Sequence, residues 1–143
     1  MIFADDAAIT HIATGLVART LPKPEWTHAA HFAAAIWLAR HNPALLAPPV
    51  IGAIIRSYND ATATPNTDDG GYHETITVAS MRAVVAHLAR FPVDAPLHIV
   101  ANALLASPLG RSDWLLAHWS RETLFSVEAR RAWVEPDLAP LPF

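Results

Sequence analysis

His28 and His31 stand three residues apart in the stretch EWTHAAHF. On a helix that spacing puts both imidazoles on one face, close enough to reach a single ion. Alanines and large apolar residues flank them on almost every side, a setting in which an imidazole needs a polar partner. A second polar pair, His73 and Glu74, follows two glycines in GGYHETIT, where another helical pattern begins. Gly70 and Gly71 permit an irregular entry, so both side chains can turn toward one site although neighbours on a regular helix point about a hundred degrees apart. The expectation is that His28, His31 and His73 hold a divalent metal, zinc, nickel or iron. Glu74 would be its fourth ligand or a general base, with an open position for a small substrate. Tyr72, Thr77, Asn59 and Trp26 are the residues expected to line the substrate pocket, Thr77 lying one turn beyond His73.

Each of these residues also has a structural explanation. The two histidines of EWTHAAHF can each satisfy a buried carbonyl or hydroxyl, and Thr27 suits a helix N-cap. Glu74 is favoured in a first helical turn by the dipole alone. For His73 the same dipole disfavours a protonated ring, so a neutral imidazole is expected there. Turn chemistry accounts for Asn59, Asn66 and Asp69 without any ligand. Among the other histidines, His41 and His11 read as structural, while His87, His98 and His118 interrupt apolar stretches and are open to joining a metal sphere after folding. The five tryptophans are most simply core and interface residues.

The elements that must position these groups are helices punctuated by proline. Apolar residues at helical spacing mark a first helix from Asp5 to Arg19, broken by Leu21-Pro22-Lys23-Pro24. A second begins between Glu25 and Thr27, runs to about His41, and is apolar nearly all round, which makes it central and buried. Pro48-Pro49 opens a third, reaching about Asn59. Residues 60–71, DATATPNTDDGG, form a long loop without periodicity, a length often associated with function. Helices follow over ITVASMRAVVAHLARF and from Ala95-Pro96 to about Ala106. Ser112 or Asp113 is a good N-cap for WLLAHWS, and RETLFSVEARRAWV either continues that helix or starts another. The last ten residues hold three prolines and should run extended. No segment alternates as a strand would. The fold class is all-α, a single-domain bundle of about six helices with an extended tail over 134–143.

Composition narrows the function. The chain has 143 residues, a net charge of −3, ten basic residues without a cluster, and no cysteine. That gives no footprint for a phosphate backbone, so nucleic acid is not an expected partner. Disulfides and thiolate metal sites are excluded. The apolar run Phe32 to Ala39 is too short to cross a bilayer, and no signal-peptide pattern opens the chain, so a soluble, cytoplasmic protein is expected. Phosphate-loop, dinucleotide and nucleophile-elbow patterns are missing, which leaves metal-assisted or histidine-based chemistry.

The stretches LPKPEWTHAAHFA, YNDATATPNTDDGGYHETIT and SDWLLAHWSRETLFSVEARRAWVEPDL together resemble a group of small, mostly helical bacterial proteins of unknown function. The resemblance covers most of the chain and implies a small helical domain; it carries over no catalytic role. Three readings therefore stand side by side. The first is a histidine-based metal site, and with it a metal-dependent enzyme acting on a small molecule. The second is a metal-free pocket for a small-molecule ligand. The third is a buried polar network within a homodimer.

Overall fold

A computed structural model describes residues 2–143. Seven α-helices form one bundle, and there is no strand among the described residues: α1 Asp6–Ala18, α2 His28–His41, α3 Pro48–Ala61, α4 Glu74–Leu88, α5 Leu97–Ala106, α6 Arg121–Leu124 and α7 Val127–Arg131. Short 3-10 turns join them at Lys23–Glu25, Pro43–Leu46, Pro108–Gly110 and Trp114–Ala117. No described helix is long and apolar enough to cross a membrane.

Helix α2 is the axis of the bundle, as its apolar surround predicts. Ala30, Phe32, Ala33, Ala34, Ala35, Ile36 and Leu38 are all buried along it. It packs against α1, α4 and α5. Interaxial distance depends on the side chains at the contact, and a run of alanines lets three neighbours approach one helix. Helix α1 contributes Ile9, Ile12, Ala13 and Leu16 from a single face. Across that seam the Trp37 indole N–H donates to Thr10 Oγ1 at 3.2 Å.

Capping follows the sequence closely at the start of the chain. Asp5 accepts from the Ala8 amide and Thr27 from the Ala30 amide, each satisfying an amide that the first helical turn leaves unpaired. The C-terminal third departs from expectation. WLLAHWS makes only a 3-10 turn, and RETLFSVEARRAWV splits into α6 and α7. The cause is two serines: Ser120 caps the Thr123 amide and Ser126 the Ala129 amide, so each restarts a helix. Asp137 fixes the first restart, accepting from the Ser120 amide and hydroxyl at 2.8 and 2.6 Å and from the Thr123 hydroxyl at 2.9 Å. Those hydrogen bonds, led by the Ser120 hydroxyl, hold its carboxyl below the usual carboxylate range.

The loop between α3 and α4 is organised by one side chain. Asn66 Oδ1 accepts from the Tyr72 amide at 3.0 Å and from Asn59 Nδ2 at 2.9 Å, while its own amide group donates to Asp60 Oδ1 at 3.2 Å and to the Arg56 carbonyl. Gly71 lies against it at φ +76°, and a Cβ there would stand 2.5 Å from the Pro65 carbonyl oxygen.

Residues 132–134 are tied to α4 through Thr75, which is fully buried. Its hydroxyl donates to the Ala132 carbonyl at 2.9 Å and accepts from the Val134 amide at 3.1 Å. Trp119, also fully buried, donates its indole N–H to the Val134 carbonyl at 2.9 Å. Thr75→Val keeps the shape and removes both bonds of the hydroxyl. It should destabilise the fold by roughly 1–3 kcal/mol in urea unfolding, because two buried backbone groups lose their partner.

Candidate functional site

The two histidines that opened the sequence reading line one cavity of about 310 Å³ in the middle of the bundle. Helix α2 supplies His28, His31, Phe32, Ala34, Ala35 and Leu38, and α3 supplies Ile51 and Ile55. From α4 come Ile76, Thr77, Ser80 and Met81, and the 112–115 segment closes the space with Ser112, Trp114 and Leu115. Leu16 of α1 and Trp26 complete the wall. The lining holds no Asp, Glu, Lys or Arg, so its polar side-chain groups are imidazoles, hydroxyls and two indole N–H groups. His31 and Ser112 are exposed, which puts the opening at their end, while Ala34, Ala35, Leu38 and Ile51 are buried at the other.

Hydrogen bonding fixes how each imidazole is presented. A carbonyl can only accept, so the ring nitrogen beside one carries the proton. His31 donates from Nδ1 to the Thr27 carbonyl one turn back, at 2.6 Å, and leaves Nε2 as a free acceptor. His28 donates from Nε2 to the Leu109 carbonyl at 2.9 Å, and leaves Nδ1. Among the described residues neither remaining nitrogen has a hydrogen-bond partner. The His31 ring stacks on Trp26 with centroids 3.8 Å apart and planes inclined at 30°. Burial among surrounding protein pushes its pKa below the ordinary value, and the neighbouring His28 adds to that; the Thr27 carbonyl works the other way. Since the ring is reached by water through the opening, its basicity is reduced rather than abolished.

His73 stands elsewhere and does other work. It is the N-cap of α4: Nδ1 accepts from the Ile76 amide at 3.2 Å, and Nε2 donates to the Leu124 carbonyl at 2.7 Å. Both nitrogens are occupied, which requires the neutral ring that the dipole argument anticipates and removes it as a metal ligand. Burial lowers its pKa, as does the Arg130 guanidinium. The expected trio of His28, His31 and His73 is therefore not brought together. No three His, Asp or Glu side chains are arranged to hold a metal ion among the described residues. His87 donates to the Val100 carbonyl, His118 to carbonyls of the 139–140 segment, and His98 pairs with Asp6, so none of them completes a sphere.

The remaining expected residues divide in the same way. Thr77 and Trp26 line the cavity. Glu74 lies outside it, accepting from the Tyr72 hydroxyl at 2.6 Å in the first turn of α4, so it is not placed as a base toward His28 or His31. Tyr72 instead lies beneath the Arg56 guanidinium, 4.2 Å from its ring centroid. Burial and the Glu74 carboxylate hold the Tyr72 phenol well above its usual range. Gly52 makes room for that hydroxyl, since a Cβ there would stand 3.0 Å from it. Asn59 is buried with its amide engaged by Asn66, and it too is absent from the cavity wall.

Ser80, Met81, Ser112 and Trp114 are lining residues that the sequence reading did not single out. Thr77 and Ser80, three apart on α4, were the visible signal there, by the spacing that had picked out the histidines. Ser112 and Trp114 reach the cavity only because 107–117 folds back over α2, which no local pattern encodes. Comparison with protein-family models, curated proteins and solved structures gave no match in any of the three.

Two outcomes test this assignment of the histidines. His73→Ala should cost roughly 2–4 kcal/mol, the sum of a lost cap and an unpaired carbonyl, while His73→Asn should recover the cap part of it. For pH, the buried His73 binds a proton less readily when folded than at its ordinary value of 6.5. The unfolded chain takes up protons first as pH falls, so this contribution to stability is complete above about 6.5 and declines toward the lowered native value. Thermal unfolding followed across that range should show the decline, reduced in His73→Asn.

Proposed function

We propose that the protein binds a small, neutral, largely apolar molecule carrying a hydroxyl or N–H group, without a metal, in the cavity beside His28 and His31. The observation that carries this reading is the lining: apolar side chains, no formal charge, and two imidazoles each left with one unpaired nitrogen. A charged ligand would enter this space with no countercharge, at a large desolvation cost. A neutral donor finds His28 Nδ1 and His31 Nε2 as acceptors, with Thr77, Ser80 and Ser112 hydroxyls nearby. The volume of about 310 Å³ sits at the small end of the range of about 300–1,000 Å³ usual for ligand sites. Trp26 supports the same reading, since its stacking holds the His31 ring in place before any ligand arrives.

The test is a matched pair of probes, 4-ethylphenol and ethylbenzene, titrated by NMR and scored by thermal shift, with benzoate as the charged comparison. Expected results are binding of both neutral probes, about a fivefold preference for the phenol, and no benzoate signal at Ile76 or Met81. His31→Phe keeps an aromatic ring on Trp26 and should lower the preference, and His28→Ala added to it should erase it. Absence of chemical-shift changes at the cavity with both neutral probes would defeat the reading. The metal reading is checked on the same protein by elemental analysis. About one equivalent of zinc, nickel or iron, lost in His28→Ala together with His31→Ala, would restore it.

A further inference from the structure

A second and larger cleft, about 930 Å³, lies on the far side of Trp114. It runs between the C-terminal half of α4, the end of α5, the 107–117 segment and the last two residues of the chain. Its lining includes the small side chains Ala83, Ala86, Ala103 and Ala117. Aromatic rings form its walls: Phe91, Trp114 and Phe143, the last two with centroids 6.2 Å apart.

Its charges are unlike those of the histidine cavity, which has none. Arg111 and Asp113 both line the cleft, but they cancel one another in a two-pronged pair at 3.0 and 3.2 Å. Among the lining Asp, Glu, Lys and Arg side chains, Arg90 is the one without a counterion. It is exposed, it lines the cleft beside Phe91, and its guanidinium has no ion pair or hydrogen bond among the described residues. An unpaired guanidinium beside an aromatic trough complements a ligand with an apolar body and a carboxylate at one end.

We infer that this cleft is a second binding site, separate from the histidine cavity, for an anionic amphiphile, with Arg90 taking the carboxylate and Phe91, Trp114 and Phe143 the apolar body. The site stands independently of the proposed function: its polarity is opposite, and its occupant is charged. Arg90 also follows the C-terminus of α4, where a cation favours the dipole, so the test reads ligand affinity rather than stability.

Decanoate and 1-decanol, equal in chain length and differing in charge, are titrated against the whole protein by NMR and calorimetry. Decanoate should bind more tightly, with shifts at Phe91, Ala103 and Ala117 and none at Ile76 or Met81. Arg90→Gln should weaken decanoate about fivefold and leave decanol unchanged. Ala103→Phe, at an exposed position that tolerates a larger side chain, should abolish the decanoate shifts at Phe91 and Ala117, while any decanol held in the histidine cavity stays. Equal affinity for the two probes as read at Phe91 and Ala117, no response to Arg90→Gln, decanoate shifts confined to the histidine cavity, or no binding of decanoate would each overturn the inference.

Discussion

The bundle depends on the narrowness of α2. Ala30, Ala33, Ala34 and Ala35 are all buried, so the helix is narrow wherever these alanines face a neighbour. Three neighbours can then touch one axis, which a leucine-rich helix would hold apart. The same feature opens the cavity. Ala34 and Ala35 lie where α2 meets the larger residues of α3 and α4, and the room they leave is bounded by Ile51, Ile55, Ile76 and Met81. Close packing on one side of the helix and a void on another thus have a common origin. A larger side chain at either alanine would act on both.

Histidine has a consistent second role in this chain. Prolines and 3-10 turns leave carbonyls that no helix satisfies, and imidazole N–H groups take them up. His28 bonds Leu109, His73 bonds Leu124 and His118 bonds the 139–140 segment, each pairing residues far apart in the chain. Three of the eight histidines thus serve as long-range ties for carbonyls. What distinguishes His28 and His31 is that their rings share one cavity and each keeps a nitrogen unpaired.

Much of this was legible in the residues themselves. The helix class, the central place of α2, the Thr27 cap, and the shared face of His28 and His31 all follow from spacing and local chemistry, which act over a few residues. His73 was correctly anticipated as neutral, but its partner was not, because the Leu124 carbonyl is fixed by the fold fifty-one residues later. The split of RETLFSVEARRAWV was missed for a different reason. Helical propensity runs through the segment, and the decision rests on Ser120 and Ser126 with help from Asp137, a residue beyond the segment. Asn59 and Tyr72 looked like site residues because polar groups near a loop do, yet Asn66 and Glu74 absorb them in holding the loop together.

The Thr75 and His73 tethers also bear on the order in which the chain acquires its shape. Both belong to the first two turns' entry into α4, and both are completed by backbone between residues 124 and 134. During synthesis α1 to α5 leave the ribosome before those partners exist. Helix α4 then has a buried hydroxyl and an imidazole N–H with only water to bond. Closure over such long separations carries a loop-entropy cost before any contact rewards it. Segment 107–117, which walls the cavity, lies between the early helices and these late anchors, so a nascent chain holds the histidines on a helix well before it holds a pocket around them.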